Sequence, residues 1–217
     1  MAGWMTMGIG PICVPPATCV KRDANCVLPA SHSNRIRSDL RSNTVPFAYY
    51  DKLSPARQRI YRKSDAIETL GIPPGLALAG AIAAIADGLR NEHRASAQSA
   101  CQNLVDALVK GYHVPAVRVK VLLRRPADDY GELHGLYEPE EEGMRACITV
   151  WMRTAQKKQV VAFKTFLRTL IHEVCHHLDY ELFALEETFH TEGFYKREST
   201  LVSALLGQLA AQSEQSL

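Results

Sequence analysis

The order of hydrophobic and polar positions divides the chain into stretches with different periods. Residues 1–45 carry Gly, Pro, Ser and three cysteines with little periodicity, and read as a weakly structured extension. Residues 46–111 carry apolar positions at helical spacing. Ser54-Pro55 followed by Ala-Arg-Gln-Arg-Ile-Tyr predicts a helix start, with serine as the cap and proline in the first turn. After the break at Gly71-Ile-Pro-Pro-Gly75, an Ala-rich helix is predicted over residues 76–89. A second is predicted over 94–110, with Leu104, Ala107 and Leu108 on its stripe and Gly111 as its stop.

From Pro115 the period changes to two. Val117, Val119 and Val121 alternate with Arg118 and Lys120; Glu132–Glu138 alternates again; Ala146, Ile148, Val150 and Met152 make a third strand. Short turns between them predict a small, mostly antiparallel three-stranded sheet. Phe163, Phe166, Leu167, Leu170, Ile171, Val174 and Leu178 then return to helical spacing and predict an amphipathic helix packed on that sheet. No glycine follows until Gly193, so this helix is expected to run on through Leu185. A last helix from Glu198 carries Leu201, Leu205, Leu206 and Leu209 on one face, and residues 210–217 are expected to fray. The expected fold class is α+β, a single domain over 46–210 with a helical part (46–111) and a sheet-and-helix part (112–210).

Composition adds little. With 217 residues, 47% hydrophobic and 22% charged, the chain can bury one core, and a net charge of +2 selects no partner. No apolar run reaches the length of a membrane span. The N-terminus lacks a basic region ahead of an apolar one, and the six cysteines form no C-x-x-C pair, so free thiols and a cytoplasmic setting are expected. Residues 35–63 hold eight basic and two acidic side chains, a local excess of six. Such a segment suits either a solvated face or contact with DNA.

The candidate chemistry lies in the predicted long helix, which contains His172-Glu173-Val-Cys-His176. Histidines four apart share one helix face and can reach one metal ion, and the glutamate between them lies about 100° round the helix, within reach of a water there. His177 is turned by a similar angle and is excluded as a partner of His176. Catalytic zinc takes three protein ligands and keeps a place open. His190, beyond the helix, is the leading third ligand. Glu198 is the alternative, with Glu192 a further carboxylate and Asp179 a supporting partner of the ligands. Glu173 is the expected general base. His134, Tyr195 and Arg197 are candidates for a donor to the developing oxyanion.

His172-Glu-Val-Cys-His176, a gap of 13 residues and then His190-Thr-Glu-Gly-Phe194 resembles the SprT-like zinc metallopeptidases, over roughly residues 112–200. The resemblance implies a zincin-like fold, one Zn2+ per chain held by His172, His176 and His190, Glu173 as base and a protein or peptide substrate. Thr191 stands where that family's glycine follows the third histidine, and no cysteine follows Cys175 to build the zinc ribbon many members carry. The rival expectation is a non-catalytic zinc protein binding nucleic acid or protein through residues 35–63. A peptidase dedicated to one regulatory protein is a third.

Overall fold

A computed structural model describes residues 46–128, 131–141 and 143–215. The expected extension, with Cys13, Cys19 and Cys26, therefore lies outside the described residues. A 3-10 turn at Tyr50–Lys52 leads into α1 (Pro55–Asp65), capped as expected by Ser54, whose hydroxyl accepts from the Arg57 amide. Next come α2 (Ala79–Arg90) and α3 (Arg94–Gly111). They cross closely because Gly88 has no side chain: a Cβ there would stand 2.8 Å from the Ala97 backbone. His93 caps α3 by accepting from the Ser96 amide.

The sheet joins β1 (Arg118–Arg124), β4 (Gly135–Glu138) and β5 (Cys147–Arg153) in the order β1-β5-β4. Its β4–β5 pairing is antiparallel, but β1–β5 is parallel, so the expectation of a mostly antiparallel sheet is corrected. Parallel pairing needs a long crossover, and residues 125–146 supply it. The expected strand over 132–138 also divides: β2 (Ala127–Asp128) and β3 (Gly131–Glu132) form a separate two-stranded ribbon, and His134 falls in the gap before β4. The central strand β5 is buried at every position from Cys147 to Met152. The outer edge of β1 is closed by side chains of α3. Gln102 accepts from the Val119 amide (2.7 Å) and donates to the Val117 carbonyl (3.0 Å), while Gln98 accepts from the Val121 amide (3.2 Å). The outer edge of β4 pairs with no strand among the described residues.

The helix α4 (Phe163–Glu181) packs on β4 and β5, and α5 (Glu192–Gln215) packs on α1, α2 and α4. Phe166, Leu167, Leu170, Ile171, Val174 and Leu178 enter the main core as the periodicity predicts, and Cys175 is buried there as a free thiol. A second, aromatic cluster joins Tyr50, Tyr61 and Phe189. No helix among the described residues is long and apolar enough to cross a membrane.

Candidate metal centre

The helix α4 places His172 and His176 one turn apart. It stops at Glu181, four residues earlier than expected from the lack of a breaker. The reversal is made by Ala184, which takes a left-handed conformation (φ 48°), and the Leu185 amide closes it on the Asp179 carbonyl (2.9 Å). The loop then returns over the histidines, anchored by Phe189 in the aromatic cluster. It delivers His190 immediately before α5, which begins at Glu192 rather than Glu198. The Thr191 hydroxyl caps α5 by accepting from the Phe194 amide (2.9 Å). At Gly193 the backbone lies against helix α1 and donates to Asp65 (2.9 Å).

Three imidazoles converge. The Nε2 atoms of His172 and His190 are 2.9 Å apart, those of His176 and His172 3.2 Å, and those of His190 and His176 3.1 Å. Tetrahedral ligation at about 2.0–2.1 Å needs donor separations of about 3.3 Å, so the triangle has the size of a metal site. Its chemistry agrees. His172 Nδ1 lies 2.9 Å from a Glu198 carboxylate oxygen, which can only accept, so the ring donates there and turns the lone pair of Nε2 toward the other rings. His172, His176 and His190 are thus close enough to bind one metal ion. Phe194, fully buried, lies under all three rings at centroid distances of 4.9, 4.7 and 5.3 Å. Tyr195 lies alongside, stacked on His190 at 5.8 Å.

The electrostatics follow from burial and crowding. Burial, then the neighbouring rings of His172 and His190 and the charge of Arg197, hold His176 well below the ordinary imidazole range. Burial and His172 bring His190 down to about 3. For His172 burial also pushes down, but the Glu198 hydrogen bond and the charges of Glu173, Glu198 and Asp179 outweigh it, and the net shift is upward. Burial raises Glu173 to about 7, with His172 opposing and Glu198 adding.

The other candidates are sorted by the same geometry. Glu198 is not a ligand: it sits behind His172, bonded to Nδ1, and pairs with Arg168 at 2.6 Å. Glu192 pairs with Lys196 on α5. Asp179 is bonded to Thr188 and Arg197, and Thr188 in turn lies 2.8 Å from His176 Nδ1. Arg197 is no oxyanion donor, because it is fully buried between Asp179 and Ser64. The charges that act on the His134 ring are those of Arg125 and Glu132 rather than any at the histidine cluster. His177 faces away, bonded to Tyr137 and the Pro115 carbonyl. Of the basic segment, Arg57 pairs with Glu187, Arg62 lies over Tyr50 and Lys63 donates to the Ala184 carbonyl, so these cations serve the fold; residues 35–45 lie outside the described residues.

Three contributors had gone unnoticed in the sequence: Thr188, Tyr49 and Gly135. Tyr49 donates to the His190 carbonyl (2.8 Å) and holds the His190 loop from the N-terminal side. Gly135, on the strand beside α4, leaves room for Glu173: a Cβ there would meet its Oε1 at 2.3 Å. An isolated glycine in an alternating stretch is a cue for such a close approach. No family model, curated protein or solved structure matches the chain.

Proposed function

We propose that the chain is a zinc metallopeptidase in which His172, His176 and His190 hold the ion and Glu173 is the general base. The observation that carries this reading is the joint placement of Glu173: beside the three-imidazole cluster and against Gly135, the first residue of β4, whose outer edge pairs with no strand among the described residues. A metal-binding role alone gives no use to an interior carboxyl at that point. An extended peptide can add to a free sheet edge by main-chain hydrogen bonds, which brings a peptide carbonyl past Gly135 and Glu173.

Zinc in this site would supply Lewis acidity toward water and the scissile carbonyl. Glu173 takes the proton from the attacking water onto a carboxylate oxygen and delivers it to the leaving nitrogen as the C–N bond breaks. The value of about 7 belongs to the carboxyl beside the imidazoles alone; a bound cation favours the carboxylate and readies it as a base at neutral pH. Glu198 and Arg168 hold His172 in place, and Phe194 closes the floor against solvent. The reading agrees with the resemblance to SprT-like metallopeptidases.

The test is metal analysis beside hydrolysis of an unfolded protein such as casein, wild type against Glu173→Gln. The variant is expected to keep one zinc per chain and lose at least 10²-fold in rate. Full activity in the variant removes Glu173 as the base, and a wild type that binds zinc without cutting any peptide removes the peptidase reading.

A further inference from the structure

Whether His176 can offer a lone pair to a metal depends on which of its nitrogens carries the proton. Two neutral tautomers compete. With the proton on Nε2 the ring would donate to His190 Nε2, 3.1 Å away, and would be lost as a ligand. With the proton on Nδ1 the ring must find an acceptor on its far side. The atom there is Thr188 Oγ1, at 2.8 Å.

A hydroxyl has one proton to give, and the partner of Thr188 for that proton is fixed. Its Oγ1 lies 2.6 Å from Asp179 Oδ2, and the other carboxylate oxygen lies 2.6 Å from Arg197 Nη2, with Asp179 and Arg197 both fully buried. Arg197 is held in turn by the end of α1 and the residues just after it: it donates to the Ser64 carbonyl (2.9 Å), the Ser64 hydroxyl (3.0 Å) and the Ile67 carbonyl (3.1 Å). A guanidinium buried against one carboxylate keeps that carboxylate ionised, because neutralising it would strand the charge of Arg197. An ionised Asp179 can only accept. Thr188 therefore donates to Asp179 and has only lone pairs left for His176.

We propose that Thr188 is a positioning residue that locks His176 in the Nδ1–H tautomer and so turns its Nε2 lone pair to the metal. The direction of every bond in the chain is set by the buried Asp179–Arg197 pair and, behind it, by the C-terminal turn of α1. The inference rests on the three histidines being a metal site. It extends that reading to a residue on neither the metal helix nor the third ligand's position, and it gives a buried ion pair a role in ligand chemistry.

The experiment uses the full chain, 15N-labelled and treated with chelator, with long-range 1H–15N spectra to assign imidazole tautomers. His176 is expected as the Nδ1–H form. Thr188→Val, isosteric and without a hydroxyl, is expected to shift it toward Nε2–H and to weaken zinc binding 10–100-fold in competition with a chromophoric chelator. Thr188→Ser restores both. An Nε2–H His176 in the wild-type protein overturns the proposal without any variant. So does a folded Thr188→Val protein that keeps both the tautomer and the zinc affinity. A wild type that binds no zinc sinks the metal reading, and the tautomer spectra still decide the role of Thr188.

Discussion

Gly135 and Glu173 touch across the space a side chain would fill: a Cβ at position 135 would lie 2.3 Å from Oε1 of Glu173 and 2.9 Å from its Cδ. The obstacle is the end of a flexible side chain, so the fold can yield by swinging the carboxylate aside. Gly135→Ala is expected to leave stability within about 1 kcal/mol of wild type. Zinc content should not change. Peptide hydrolysis should drop on the order of 10²-fold, the cost of a reacting group displaced by about 1 Å. Kinetics beside metal analysis check this, and an unimpaired rate would mean the carboxylate does not work from where it lies.

Gly193 meets a harder obstacle. A Cβ there would stand 2.1 Å from the Asp65 carbonyl oxygen and 2.6 Å from its carbon, both backbone of α1. Gly193→Ala must push α5 away from α1, at about 1–3 kcal/mol or more, and His190 lies three residues upstream. Urea unfolding and chelator competition should show stability and zinc affinity falling together.

The chelated protein should be sensitive to acid because His190 is held to about 3 against an ordinary value near 6.5. The unfolded chain then binds more protons than the folded one between those values, so stability from this group is present above about pH 6.5 and is lost as pH falls toward 3. Glu173, raised to about 7, acts the other way: the folded state holds its extra proton between about 4.5 and 7, which costs stability as pH rises through that window. Urea midpoints across pH 4–7 should show the acid loss shrinking in His190→Ala. An unchanged profile would mean that His190 is not held neutral by its surroundings.

Arg197 separates structure from ligation. Arg197→Ala strips Asp179 of its buried cation, so that it must stay an unpaired charge or take up a proton, at a cost of about 3–5 kcal/mol. The double change Arg197→Met with Asp179→Leu should recover much of that stability. It should not recover zinc affinity, since Thr188 then has no fixed partner for its proton. Thermal unfolding and zinc titration of both variants make the comparison.

Much of this was legible in the sequence. The approach of His172 to His176 was readable because their spacing follows helix geometry alone, and that of His190 because a third donor had to come from outside the helix. The strands over 118–124 and 147–153 and the buried face of α4 followed from periodicity. What stayed hidden depended on contacts between distant segments. Ala184 turns left-handed with no glycine to announce it, so the end of α4 was misplaced. Arg197 reads as a candidate oxyanion donor until α1, α4 and α5 close around it, and Glu198 reads as the alternative third ligand until α5 places it behind His172. The parallel β1–β5 pairing is set by the crossover, which strand alternation does not encode.

Gln98 and Gln102 give the sheet a polarity of growth. Their side-chain amides already occupy the Val119 and Val121 amides of β1 that another chain would use, whereas the outer edge of β4 pairs with no strand among the described residues. The same two side chains act as a guard against self-association: copies of this domain cannot zip together through β1 without first tearing out bonds made by α3.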